Sequence, residues 1–185
     1  MTGATERVSL SATGAEGDKA CRSGTLSDDG NVVTFDSAST NLVPGDTNNF
    51  PDCFVLDRST GALTRISVAE DGTEGTSYSI MPFVSADGSV VCFQSLASEL
   101  DGGPVGAVGN VLDTFRYHIA TGSLTQVSVG SNGAGNDDSF NARPTGNGGL
   151  VAMASEISSY LTQNVPPKPQ QASVSAISTT SRFST

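Results

Sequence analysis

At 185 residues the chain has room for one ordinary domain or three to four copies of a small repeat. Only 36% of it is hydrophobic and 21 residues are glycine, which favours short strands and many turns over a helical core. Nine basic against nineteen acidic residues give a net charge of -10, a sign that repels phosphate backbones and anionic lipid heads, so nucleic acid is not an expected partner.

No apolar run approaches the roughly 18 residues of a membrane helix, so no membrane span is expected, and MTGATERVSL lacks the basic and apolar regions of a secretory signal. Cys21, Cys53 and Cys92 are an odd number at wide spacings, which fits neither a disulfide framework nor a zinc cluster.

Taken in chain order, TERVSL at Thr5 to Leu10 is the first fragment of a pattern that returns later. SDDGNVVTF at Ser27 to Phe35 recurs as SADGSVVCF at Ser85 to Phe93 and, in worn form, as TGNGGLVAM at Thr145 to Met153. Gly30, Gly88 and Gly148 are 58 and 60 residues apart. DCFVLDRSTGALTRISV from Asp52 to Val68 recurs as DTFRYHIATGSLTQVSV from Asp113 to Val129, and a period near 60 marks a repeat array.

Each period predicts four strands. SIMPFVS is the first, a two-residue type I′ turn is expected at Asp87-Gly88, and SVVCF, apolar without alternation, reads as a strand covered on both faces. FVLD and FRYH supply the third. In the fourth, Thr64, Ile66 and Val68 alternate with Arg65 and Ser67, so that strand is expected to be half wet. Strands are expected at Val32–Phe35, Phe54–Asp57, Thr64–Val68, Val90–Phe93, Phe115–His118 and Thr125–Val129, with Val33, Phe35, Phe54, Leu56, Val91, Phe93, Phe115 and Tyr117 buried. Sheets buried at their inner strands and half wet at the outermost are what propeller blades require, because blades stack face to face.

The S-x-D-G turn with its apolar strand, NLVPGDTN, and D-x-F-V-x-D-R-x-T-G-x-x-T-R-x-S-V resemble the WD-repeat-like, TolB-like β-propeller repeats of bacterial secreted and periplasmic proteins. The resemblance covers roughly Thr5 to Ser155 and implies an all-β fold of four-stranded antiparallel blades in an incomplete, open propeller array. It also implies a binding or interaction scaffold, sometimes attached to a hydrolase, and a secreted or periplasmic setting.

Blade one is placed at about 20–68, blade two at about 78–129, and the start of a third at about 139–155. Blade two lacks NLVPGDTN, and residues 156–185, rich in Pro, Gln, Ser and Thr, are expected to be an unrelated or disordered tail. With four blades about the fewest a propeller uses, the chain is expected to leave blade faces uncovered and to associate with further blades or with itself.

Asp46, Asn48 and Asp52 stand at positions one, three and seven of a loop, a spacing that lets oxygen ligands wrap a hard cation such as calcium. The competing reading is that these side chains cap turns. Blade two offers Asn110 and Asp113 at the matching places, so a second cation site is not expected. Ser27-Asp28-Asp29-Gly30 differs from a sialidase Asp-box because Asp and Gly are adjacent and no Trp follows.

His118, the one histidine, takes the place of Asp57. With no G-x-S-x-G elbow and no H-E-x-x-H pair, nucleophilic and zinc hydrolysis lack their parts. Cys53 and Cys92 read as packed, inert thiols. The sequence therefore points to a non-catalytic propeller scaffold for a protein, carbohydrate or other small-molecule partner. The alternative is the propeller portion of a larger peptidase- or glycosidase-type hydrolase.

Overall fold

The computed structural model describes residues 3–102, 111–130, 133–134, 138–155 and 173–178. Strands β1 (Cys21–Leu26), β2 (Val32–Ser37), β3 (Asp52–Asp57) and β4 (Ala62–Arg65) form one antiparallel sheet in chain order. A second is built the same way from β5 (Ser79–Val84), β6 (Val90–Ser95), β7 (Asp113–His118) and β8 (Ser123–Gln126). The short strands β9 (Val129–Gly130) and β10 (Gly133–Ala134) pair with each other. A third sheet holds β11 (Ser139–Pro144), β12 (Leu150–Ser155) and β13 (Ser173–Ser178). Among the described residues the one helical element is a single 3-10 turn at Ser98–Asp101. The fold is thus all-β, and its blade-like sheets stack in chain order without closing into a ring.

Three local outcomes differ from expectation. The fourth strands end at Arg65 and Gln126, short of Val68 and Val129. The Ile66 N–H still bonds the Cys53 carbonyl at 2.9 Å, but the next rung is made by a side chain: the Cys53 N–H donates to Ser67 Oγ at 3.1 Å. Thr114 and Ser128 repeat this at 3.0 Å.

The turns are not two-residue hairpins either. The Ser85 N–H bonds the Val90 carbonyl at 2.8 Å, and the Gly88 N–H bonds the Ser85 carbonyl at 3.0 Å, which leaves residues 86–89 as the loop. Ser85 Oγ accepts from the Val90 N–H at 3.0 Å and donates to Asp87 Oδ1 at 2.7 Å. That brace sets the loop length, so a left-handed φ is needed only at Gly88 (+71°). Ser27 with Asp29, and Thr145 with Asn147, make the same brace.

Third, β13 lies within 156–185, where no strand was expected, and pairs with β12 from Ser173 opposite Ser155 to Ser178 opposite Leu150. SVSAIS is apolar enough at alternating positions to complete a ladder once an edge is offered. The rest of that segment lies outside the described residues.

Six of the eight expected core residues are buried; Val33 and Tyr117 are half-buried. Phe35 stacks on its cross-strand partner Phe54 at 5.5 Å, and Phe93 on Phe115 at 5.6 Å. Between the first two sheets, Cys53, Val55 and Ile66 meet Val91, Phe93 and Phe115 in one apolar cluster. Val90, Cys92, Val127, Ala142, Val151 and Met153 form the next, between the second and third sheets.

The outer face of the first sheet, expected to be uncovered, is capped. Leu42, 2% exposed, lies on Phe35 and Phe54, with Val43 and Val8 beside it. Leu100, 58 residues on, fills the matching place in the second sheet from the 3-10 turn, so blade two keeps the apolar cap of the NLVPGDTN segment without its sequence.

Consecutive blades are also joined through their turns: the Asp28 N–H bonds the Ala86 carbonyl at 2.9 Å, and the Asp87 N–H bonds the Gly146 carbonyl at 2.8 Å. Along the first strands, which pack side by side, each carries a bulge. A non-glycine residue there takes a left-handed φ: Ser23 (+50°), Met81 (+54°) and Asn141 (+54°).

Candidate functional site

The loop from β2 to β3 carries Asp46, the start of β3 carries Asp52, the end of β4 carries Arg65, and the connection from blade one to blade two carries Glu74. Ladder pairing of β3 with β4 sets Arg65 opposite Phe54, and the bridge between Val68 and Glu74 folds the connection back beside it. The carboxylates of Asp46, Asp52 and Glu74 come within 4.8 Å of one another. Arg65 Nη1 lies 2.5 Å from Glu74 Oε1 and 3.5 Å from both Asp46 Oδ1 and Asp52 Oδ2, while its Nη2 donates to the Gly45 carbonyl at 2.9 Å.

The three acids are held unequally. Asp52 accepts from Ser67 Oγ and from Asn48 Nδ2 at 3.1 Å, and Glu74 accepts from the Thr47 N–H at 2.8 Å and Thr47 Oγ1 at 2.6 Å. Asp46, whose side chain is 1% exposed, accepts no hydrogen bond on either oxygen. Burial, with the Asp52 charge beside it, pushes the Asp46 carboxyl up to about 6. Burial also raises Asp52, against the Ser67 hydrogen bond.

Of the residues singled out from the sequence, Asp46 and Asp52 do meet. Asn48 is turned the other way: its NH2 donates to Asp52 and to the Gly75 carbonyl at 3.0 Å, and its oxygen accepts from the Phe50 N–H at 2.7 Å. In this arrangement it steadies a carboxylate rather than offering an oxygen ligand. The third acid, Glu74, was not among the candidates. A signal for it existed: Arg7 and Glu16 stand nine residues apart, as Arg65 and Glu74 do, with Gly following each Glu. The earlier pair forms a salt bridge at 2.6 Å.

In blade two Gln126 replaces Arg65 and Asp113 is bonded by Ser128 at 2.7 Å; Asn110 lies outside the described residues. His118 sits half-buried at the end of β7 with Nδ1 unpartnered. Cys53 and Cys92 are buried, which pushes the Cys92 thiol up to about 12 and Cys53 well above its ordinary value, the opposite of a reactive thiolate. A groove of about 380 Å³ between Ser11–Thr13 and Thr40–Gly45 is lined by no titratable side chain.

No family model and no curated protein matches the sequence. Among solved structures, the tricorn protease aligns over 83% of this chain and 12% of its own, at 12% identity and a TM-score of 0.47. Pyrococcus horikoshii acylaminoacyl peptidase aligns over 80% and 20%, at 14% identity and 0.45. Kuenenia stuttgartiensis hydrazine synthase aligns over 84% and 38%, at 14% and 0.44. The chain therefore spans between 12% and 38% of the length of these proteins, and the likeness is one of strand arrangement alone.

Proposed function

We propose that this chain is a blade-stacking segment of a β-propeller that works as a non-catalytic scaffold. Its partner, a protein or a small molecule, would bind along the side formed by β1, β5 and β11. The observation that supports this is the bulge repeated at Ser23, Met81 and Asn141. A left-handed non-glycine residue costs roughly 1–2 kcal/mol, and three such residues at matching places are a feature of the array rather than an accident of one strand. Bulges bend an edge strand away from further pairing and re-aim its side chains; here all three side chains are exposed. The outward face of the third sheet, where Leu150 is 40% exposed, would accept a further blade or a second copy.

An open stack of blades with a bulge on each first strand suits a scaffold. It also fits a second reading, the propeller portion of a larger peptidase- or glycosidase-type hydrolase whose chemistry lies elsewhere.

A peptide-library selection against the intact chain tests the proposal. Selected binders should compete with one another and lose affinity for Met81→Glu and Asn141→Glu. Binders indifferent to both changes would move the site off this side, and turnover of peptide or glycoside substrates by the pure chain would end the non-catalytic reading.

A further inference from the structure

Burying three carboxylates around one guanidinium leaves a formal charge of -2 when all are ionised. In most such clusters hydrogen bonds absorb the remainder. Here Asp52 and Glu74 are absorbed in that way, but Asp46 is not: its side chain is 1% exposed, faces Arg65 Nη1 at 3.5 Å, and takes no hydrogen bond on either oxygen. A carboxylate buried without a hydrogen bond, with only a guanidinium at 3.5 Å, is costly to keep ionised.

We propose that the pocket formed by Asp46, Asp52 and Glu74 binds one divalent cation of the calcium class, for which the Arg65 guanidinium is an exchangeable stand-in. The ligands on offer are all hard oxygens, with no His or Cys among them, which selects calcium- or magnesium-like ions over zinc or copper. Irregular loop geometry and backbone carbonyls favour calcium of the two, since magnesium demands a near-ideal octahedron.

Arg65 itself holds two oxygens that an ion could take. Its Nη1 occupies one oxygen of Glu74 and its Nη2 occupies the Gly45 carbonyl. A guanidinium that swings outward frees both of these oxygens, beside the two Asp46 oxygens, which accept no hydrogen bond, and Asp52 Oδ2, which Asn48 also bonds. That set approaches the six to eight oxygens calcium takes, with water completing the shell. The ion would cross-link the β2–β3 loop to the connection that carries the chain from blade one to blade two. Blade two, with Ala134 at the Glu74 place, is not expected to repeat the site. The pocket, at β3 and β4, lies across the sheet from β1, where the scaffold's partner would bind.

Calorimetric titration of calcium into the chelator-treated intact chain, with circular dichroism as the check on folding, decides it. One saturable site is expected, with a dissociation constant of about 10⁻⁴–10⁻³ M, as in weak extracellular sites. Removing a charged ligand in Asp46→Asn or in Glu74→Gln should weaken binding by about tenfold or more, and Arg65→Gln, which removes the competing cation, should tighten it. Asp71→Asn, a surface acid outside the cluster, should bind as the parent does. Glu74→Gln keeps the test valid if Asp46→Asn does not fold, because Glu74 lies nearer the surface. The proposal is overturned if the folded parent and the folded Arg65→Gln chain both show no saturable heat at millimolar calcium. It is equally overturned if Asp71→Asn loses as much affinity as the cluster variants.

Discussion

Blades one and two are built on the same frame and differ in what is hung on it. Both pair an aromatic across the second and third strands, both tie the start of the third strand with a serine hydroxyl (Ser67 or Ser128), and both close the first hairpin with a Ser–Asp brace. Blade one adds Arg65 and Glu74 to form a charged hub. Blade two has Gln126 in the first place and, opposite Val129 in the short ribbon, Ala134 in the second.

The connections from blade to blade also reverse polarity. Asp18 on the incoming segment accepts from Thr40, whereas Thr76 at the matching place donates to Glu99. What recurs is therefore the part that shapes backbone, and what varies is the placement of charge. Backbone closure tolerates few solutions, while a carboxylate–threonine hydrogen bond can be built with the carboxylate on either side of the contact.

The largest effect expected from breaking this comparison is in the aromatic pairs. Phe93→Ala and Phe54→Ala each delete a fully buried ring, and such deletions typically cost about 3–5 kcal/mol. Phe93, in the cluster shared by the first two sheets, should cost the more. Phe54 lies under Leu42 and Val43, on a loop that can settle into the gap. Denaturant midpoints measure both, and equal losses would mean the cap is as rigid as the blade interface.

Next come the turn glycines. A Cβ on Gly148 would lie 2.6 Å from Val90 Cγ2 of the preceding blade, on Gly88 3.0 Å from Val32 Cγ2, and on Gly30 3.6 Å from Leu26 Cδ1. All three have positive φ, so alanine strains each backbone alike and only the blade contact differs. Gly148→Ala should cost about 2–4 kcal/mol, adding overpacking to left-handed strain, and Gly30→Ala about 1 kcal/mol. Thermal unfolding of the three variants should rank them in that order; a flat series would show that the stacked turns have slack.

A smaller, pH-dependent effect isolates the charged hub of blade one. The Asp46 carboxyl is raised from 3.8 to about 6 in the fold, so the folded chain holds its proton over a pH range where the unfolded chain has lost it. That contribution to stability is complete below about pH 4 and is lost as the pH rises through about 6. Without divalent ions, Asp46→Asn should match the parent near pH 4 and exceed it at pH 7.5. The gain should be about 1 kcal/mol, discounted because the pocket opens toward solvent at Glu74. Melting curves at the two pH values read the difference, and an Asn variant that is less stable at both would show Asp46 to be fully compensated.

The smallest effect is expected at the brace itself. Asn147 already fills the Asp87 place in the third copy and accepts from the Gly149 N–H at 3.1 Å. Asp87→Asn should therefore change stability by no more than about 0.5 kcal/mol, even though the Ser85 and Ser89 hydroxyls hold that carboxyl below its usual range. A larger loss would mean that charge, and not only an acceptor oxygen, sets the turn.

Much of the frame was legible because it is local. Apolar runs flanked by Ser-x-Asp-Gly, the paired phenylalanines and the 60-residue spacing each concern residues within a few positions or one repeat of one another. The turn type was misread because Ser85 and Asp87 bond backbone groups up to five residues away, a choice that propensity for Asp-Gly does not reveal. The acidic cluster was half legible. The Asp46 to Asp52 spacing marks two of its acids, and the Asn48 amide donates to Asp52 in the same cluster.

Strand order and the apolar face of each strand follow from period and pattern alone. Tertiary structure alone decided which distant groups share a pocket. Glu74 joins Asp46 only because a bridge to Val68 folds one connection onto the preceding blade, and Leu100 covers the place of Leu42 only through a 3-10 turn. The physical reason is that strand identity is carried by short-range periodicity, whereas burial and the pairing of charges depend on which surfaces meet after the sheets have stacked.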